Sequence, residues 1–183
     1  MLGNGRKRAK RSAVAKNSNR KGKSFERDVR DLLHEAYGEK FARVPGSGMF
    51  GTIMDLDTDA NCVLAGDLIV GKMAVTVECK KGYDSVNWVD IFFAPGERGG
   101  KSSQDQIKAF INQVEDAAVK TKKNPLIVWS QTSKPVICGI RQHFYDKYEK
   151  HFTVGHPRID YYGYVFFRFS EFLRIPKEEI FDK

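Results

Sequence analysis

The sequence predicts an α/β fold in which helices flank a central mixed sheet, and three features of the apolar pattern predict it. An apolar stripe at helical spacing comes first, several apolar runs of strand length follow, and a second helical stripe precedes a further buried run. Together they give the order α-β-β-β-α-β. The 183 residues, 41% of them hydrophobic, suffice for one core but not for two ordinary domains. We therefore expect a single domain over 23–183.

The first helix is predicted to begin at Ser24, because serine is a common N-cap. Gly38 is expected to end it. Five apolar residues fall on one face of this helix: Phe25, Val29, Leu32, Leu33 and Ala36.

Apolar runs after this helix predict a short strand at 41–44, a strand at 52–56, a strand at 63–70 and a strand at 73–80, which is the clearest of them. A Pro-Gly-Ser-Gly loop follows the first of these strands, and a polar turn at 55–61 precedes the third.

The second half predicts a helix from Ser102 and a buried strand at 125–130. The helix carries its apolar stripe at Ile107, Phe110, Ile111, Val114, Ala117 and Ala118. Beyond the strand we expect a strand at 136–140, an aromatic helix at 143–152, a strand at 161–169 and a helical piece from Ser170.

Composition excludes several classes of protein. No apolar run approaches the roughly 18 residues that cross a bilayer, and the N-terminus lacks the apolar segment of a secretory signal. We therefore expect a cytoplasmic protein, in the host cytoplasm if a phage encodes it. The three cysteines are odd in number and widely spaced, so neither disulfides nor a zinc ribbon is predicted.

The net charge of +8 is concentrated at the N-terminus. Residues 1–24 hold nine of the 31 Lys and Arg and none of the 23 Asp and Glu, which leaves the remainder close to neutral. A basic stretch with so few apolar residues predicts a flexible tail over 1–22 that contacts phosphate backbones. A solubilising terminus or a nuclear-localisation run remains an alternative.

Glu78 and Lys80 lie two residues apart in the clearest strand, so their side chains project from one face, about 6.6 Å apart. Asp67 opens the apolar run at 66–70 and needs only an adjacent strand to bring its carboxylate beside Glu78. Two carboxylates and an ammonium are costly to bury unless a hard divalent cation neutralises the acids. Such a cation can polarise a phosphoryl oxygen and activate water, which predicts phosphodiester hydrolysis.

A simpler interpretation stays open for the same residues. Glu78 and Lys80 would form an ion pair at a strand edge, and Asp67 would cap a turn. An isolated E-x-K pattern occurs by chance in any charged protein, so the spacing to Asp67 and to a later helix decides between the two.

That spacing resembles the PD-(D/E)XK nucleases. The resemblance spans 23–130: Gly66-Asp67 leads an apolar strand, E-x-K follows about a dozen residues later, and a helix with a glutamine comes next. It implies a restriction-endonuclease-like core, with Mg²⁺ as cofactor and Mn²⁺ as its substitute. Asp67 and Glu78 would bind the metal, and Lys80 would orient or activate water. The chain departs from the family's name-giving motif at Gly66, where the motif has Pro.

The segment at 21–27, Lys-Gly-Lys-Ser-Phe-Glu-Arg, is more narrowly similar to the opening of archaeal-type Holliday junction resolvases, a family that phages share. The resemblance implies that Glu26 supplies a further active-site acid and metal ligand. It also implies a set of DNA-contacting residues, which are Lys21, Lys23, Arg27, Arg43, Ser47 and Gln106.

The predicted function is therefore a structure-selective DNA endonuclease that resolves four-way junctions by paired phosphodiester hydrolysis as a homodimer. A restriction-like or repair nuclease that acts on duplex or ends is one alternative, and a non-catalytic nucleic-acid-binding protein is another. The segment at about 83–100, with Trp88, Phe92 and Phe93, is longer than the expected connection. Three interpretations stay open for it: a flexible arm that enters a junction, an apolar dimer contact, or a hairpin packed on the core. The aromatic strand at 161–169 offers a further apolar surface for core or dimer packing.

Overall fold

The computed structural model describes residues 4–44, 65–88 and 103–181, with side chains from residue 20 onward. The first half comprises α1 (Asn4–Tyr37), β1 (Ala42–Arg43), β2 (Leu68–Ile69), β3 (Val75–Lys81), α2 (Ser103–Thr121) and β4 (Asn124–Ser130). The second half comprises β5 (Ile137–Arg141), α3 (Gln142–Tyr148), a 3-10 turn (Glu149–His151), β6 (Arg158–Tyr161), β7 (Tyr164–Arg168), α4 (Phe169–Phe172) and α5 (Lys177–Ile180).

The described strands form one mixed sheet in the order β1-β2-β3-β4-β5-β7-β6. Strands β3 and β4 are parallel, with helix α2 as their crossover connection, and every other neighbouring pair is antiparallel. The predicted α/β class is confirmed, and the described elements α1-β1-β2-β3-α2-β4 follow the predicted α-β-β-β-α-β order. This is a restriction-endonuclease-like arrangement of a sheet between helices.

Side chains alternate between the two faces of the sheet, and each face has its own core. Val77 and Leu126 pack with α1 and with the helices α3 to α5 on one face. Ile127 and Trp129 pack with the stripe of α2 on the other face. All six residues predicted for that stripe are buried. Every second residue of β3 therefore faces α2, which determines where Glu78 and Lys80 lie.

Helix α1 corrects the predicted start at Ser24, since it begins at Asn4. The preceding segment contains no proline and is rich in Arg, Lys and Ala, which are good helix formers, so the α1 backbone continues through it. The predicted end is confirmed. Gly38 adopts a φ of 68° and donates its N–H to the carbonyl of His34, as glycines do at helix C-termini.

The predicted strand at 161–169 is instead a hairpin of β6 and β7. Tyr162 and Gly163 both have positive φ, 54° and 76°, and they join the paired residues Tyr161 and Tyr164 as a two-residue turn. Positive φ at both central positions is the requirement of a type I′ turn. The aromatic run concealed this turn because a tyrosine occupies its first central position.

Other expectations have mixed outcomes. The short strand at 41–44 and the strands at 73–80, 125–130 and 136–140 are confirmed with small shifts, and the aromatic helix ends as a 3-10 turn. The loop after Val44, the strand at 52–56, the turn at 55–61 and most of the insertion lie outside the described residues. In the part of the chain that the structure describes, no helix has the length and apolarity needed to cross a membrane.

Candidate active site

Asp67 lies beside β3 because the chain just before β2 already pairs with that strand. Its backbone N–H donates to the Val77 carbonyl at 2.8 Å, and its carboxylate Oδ2 accepts the backbone N–H of Cys79 at 2.7 Å. Leu68 is paired with Val77 and packs into the α1-side core, so Asp67 projects toward the opposite face. That is the face on which Glu78 and Lys80 lie, as the strand periodicity predicts.

Gly66 makes this close approach possible. It has a φ of 89°, and a Cβ at this position would lie 2.8 Å from the Val77 carbonyl oxygen. Proline holds φ near −65° and cannot adopt this conformation. The departure from the Pro-Asp motif therefore has a local physical reason.

Glu78, Lys80 and Gln113 form a closed triangle of hydrogen bonds. The Lys80 ammonium donates to Glu78 Oε1 and to Gln113 Oε1, both at 2.6 Å, and the Gln113 amide donates to Glu78. The ammonium also lies 5.5 Å from the centre of the Phe110 ring. Helix α2 thus supplies both a polar and an aromatic contact that hold the lysine in place.

Glu26 reaches the same site from α1. Its carboxylate accepts a hydrogen bond of 2.6 Å from Arg43 of β1, and the Glu26 side chain is largely buried. Its charge raises the pKa of both Asp67 and Glu78, so the three acids are close enough to interact. The structure therefore brings together the acids predicted from α1, from the chain preceding β2 and from β3.

Burial makes this cluster electrostatically unusual. The exposed fractions of Glu26, Asp67, Glu78 and Lys80 are 8%, 7%, 4% and 7%. Burial first, and then the Glu78 carboxylate, raises the pKa of Asp67 to about 7, although the hydrogen bond from Cys79 opposes the shift. Burial also raises the pKa of Glu78, against the opposing effect of Lys80.

A family model of PD-(D/E)XK endonucleases matches residues 17–182, nearly the whole chain. Its description is "Phage putative PDDEXK endonuclease". The chain belongs to this family. Comparisons with curated proteins and with solved structures gave no match.

The residues of this PD-(D/E)XK site fit a hard divalent cation. Three carboxylates supply oxygen donors in a buried place, and their mutual repulsion is the cost that a bound cation would remove. In the described conformation Glu78 binds Lys80 and Glu26 binds Arg43. Accordingly, no three potential ligands in the described ranges stand together in metal-binding geometry.

Gln113 is a site residue that the sequence did not indicate. Gln113, not Gln106, is the α2 glutamine that contacts Lys80 and Glu78. The two glutamines are seven residues apart, so they share a helix face but are separated by about 10.5 Å along the axis. The apolar pattern shows which face of α2 packs on the sheet, but not which turn of α2 lies beside Lys80. The sequence alone therefore did not identify Gln113.

The predicted DNA-contacting residues occupy different positions. Arg43 is paired with Glu26. A phosphate that binds Arg43, as predicted, would therefore share the guanidinium group with the Glu26 carboxylate. Lys21, Lys23 and Arg27 are exposed on α1. Ser47 lies outside the described residues.

The raised pKa of Asp67 predicts how the stability of this nuclease in EDTA depends on pH. An unfolded aspartate has a pKa near 3.9, so the folded protein binds this proton more tightly. That contribution is complete below about pH 4 and is lost as the pH rises through about 7.

Chemical denaturation in EDTA should therefore show that Asp67→Asn stabilises the protein at pH 8 relative to wild type, by on the order of 2 kcal/mol. At pH 4 the two proteins should be nearly equal. An equal difference at both pH values would contradict the assignment of the shift to Asp67.

Proposed function

We propose that this chain is a Mg²⁺-dependent DNA endonuclease, with Asp67, Glu78 and Glu26 as the acids that hold the metal. The observation that carries the proposal is that three buried carboxylates lie close enough to act on one another, with Lys80 bound to one of them, Glu78. When bound, Mg²⁺ would polarise the scissile phosphoryl group and lower the pKa of a bound water. Mn²⁺ has the same preference for oxygen ligands and would substitute.

The protein's own groups have separate roles in this proposal. Lys80 holds a positive charge at the place where negative charge develops during phosphodiester hydrolysis, and it orients or activates the attacking water. Gln113 and Phe110 position that ammonium. Arg43 positions Glu26. Cleavage would leave a 5′-phosphate and a 3′-hydroxyl, as in the family that the site resembles.

A catalytically silent nucleic-acid-binding protein is the alternative from another class. Three clustered carboxylates repel a phosphate backbone unless a cation lies between them, and burying them has no benefit for binding alone. The arrangement of the acids therefore favours catalysis.

Replacing Asp67 or Glu78 with Ala should lower the rate of DNA cleavage at least about a hundredfold, because several kcal/mol of transition-state stabilisation are lost. DNA binding should be retained or strengthened, since a negative charge near phosphate is removed. Asp84→Asn is the matched control. That exposed carboxylate, three residues beyond β3, accepts its hydrogen bonds from Thr132. Full activity in EDTA, or a wild-type rate for Glu78→Ala, would disprove the proposed centre.

Gln113 and Gln106, two of the three α2 glutamines, provide a second matched pair. Gln113→Ala should lower kcat about tenfold or more with little change in KM, because a partner of the catalytic groups is lost. Gln106→Ala should leave both constants close to wild type. A lower kcat for Gln106→Ala, with wild-type constants for Gln113→Ala, would instead support Gln106, the glutamine that the sequence suggested. Steady-state cleavage of a labelled duplex or junction, over a range of substrate concentrations, gives both constants for each variant.

The proposed substrate is a four-way DNA junction, and two features support it. The 21–27 segment resembles the resolvase opening, and the charge of Glu26, within that segment, acts on Asp67. Nine cations before residue 25, with no acid among them, suit a substrate with many converging phosphates. A restriction-like nuclease that acts on duplex or ends is the alternative within the family.

A symmetric homodimer belongs to this proposal because one site cuts one strand, and junction resolution needs two opposed cuts. Several of the aromatic residues that the sequence suggested for the dimer surface instead pack within the protein. Trp88 packs against Trp129 and Phe166, and four rings of the 161–169 run, Tyr164, Phe166, Phe167 and Phe169, are buried core. Phe92 and Phe93 lie outside the described residues.

With Mg²⁺, the protein should cut a labelled four-way junction faster than a linear duplex of the same sequence, because strand position rather than base identity selects the site. Light scattering should give about twice the chain mass of 20.8 kDa. A cruciform plasmid should yield linear product in preference to nicked circles. A monomer that cuts duplex and junction at equal rates would refute junction resolution and leave the nuclease proposal intact.

A further inference from the structure

A groove of about 280 Å³ lies on the α2 face of the sheet, beyond the active site. Its lining includes the aromatic rings of Trp88, Trp129 and Phe166. The Trp88 ring centre is 5.6 Å from that of Trp129 and 5.2 Å from that of Phe166. The volume is close to the lower end, ~300 Å³, of pockets that hold small molecules. The groove is therefore large enough for one flat ring.

The rim of this groove is basic. Lys134, Arg158 and Arg168 line it, and its lining contains no carboxylate. Arg158 is already paired with Glu149 at 2.8 Å. Lys134 and Arg168 are exposed, and neither forms an ion pair within the ranges that the structure describes. Two cations are thus available beside the aromatic residues of the lining.

The groove lies on the same face of the sheet as the active site, and Phe110 links the two. Trp129 is the register partner of Lys80 across the parallel strands β3 and β4, so the two side chains share a face. Phe110 contacts both, with its ring 5.6 Å from Trp129 and 5.5 Å from the lysine ammonium. At about 4.8 Å per strand, the groove begins over β4, about 5 Å from β3, and continues over β5, about 10 Å from β3.

The geometry points to this groove as a binding site for an unpaired nucleotide of the DNA substrate, an inference that rests on the proposed function. Trp129 and Phe166 are buried, so the half-buried Trp88 ring that packs on them is the one available to stack a base of any identity. The two free cations meet the adjoining phosphates. Bases near a branch point or a cut end are the ones free to leave the duplex stack. The site would hold such a base while the neighbouring strand lies at Lys80.

Intrinsic fluorescence reports on this groove because the chain's two tryptophans both line it. The probe is a short oligothymidylate, whose bases absorb only weakly at the long-wavelength edge of tryptophan excitation. It is titrated into full-length Asp67→Asn protein in EDTA, so that no cleavage occurs. Saturable quenching of the tryptophan emission is expected.

Variants distinguish binding by the basic residues of the groove from general electrostatic attraction to DNA. Lys134→Gln and Arg168→Gln should each weaken binding and reduce the log–log salt slope by about 0.7, the value for one phosphate contact on a single strand. Lys147→Gln is the matched control, because Lys147 is an exposed cation on α3, which packs on the opposite face. It should leave the quenching curve unchanged. Trp88→Ala should weaken binding of a labelled probe about tenfold in anisotropy measurements.

Three outcomes would overturn the inference. The emission could stay constant while anisotropy shows that the probe is bound, or Lys147→Gln could weaken quenching as much as Arg168→Gln does. Emission that changes with protein concentration alone would assign the groove to a second copy of the chain. Cleavage by wild-type protein with Mg²⁺ is scored separately. Cleavage without quenching rejects the groove alone, and quenching without cleavage rejects the proposed function alone.

Discussion

Mutual repulsion among three buried carboxylates is the constraint on which the rest of this structure depends. Each acid has a compensating contact: Lys80 on Glu78, Arg43 on Glu26, and a backbone N–H on Asp67. These contacts come from α1, β1 and β3, so the site exists only when these elements have packed together with the chain before β2. Removing a cation would leave an uncompensated buried charge, which costs more than losing the pair.

The two faces of the sheet have different roles. The α1 side holds most of the apolar core and delivers Glu26 at its edge. The α2 side carries fewer apolar residues and takes the polar groups of β3 together with Gln113. A parallel β3–β4 pair requires a crossover helix, and this topology places α2 over the charged end of β3. The connection that builds the sheet also supplies the site.

Sequence periodicity predicted the features that a single helix or strand determines. It did not predict the features that depend on how two elements pack together. The shared face of Glu78 and Lys80 follows from a period of two, and the stripe of α2 follows from helical spacing. The choice between Gln106 and Gln113 depends on where α2 lies along β3, which no local pattern encodes. Ser24 was a plausible cap, but nothing in the preceding residues stops a helix. The Tyr162 turn requires a backbone conformation that tyrosine rarely adopts.

The length of α1 has a mechanical consequence. Glu26 belongs to the same continuous helix as the basic residues near the N-terminus, and at 1.5 Å per residue Arg6 lies about 30 Å from it along the axis. A continuous helical backbone fixes the distance from Glu26 to each earlier residue of α1, whereas a coil would leave that distance variable. The N-terminal end of α1 is therefore held at a set distance from the cluster of acids.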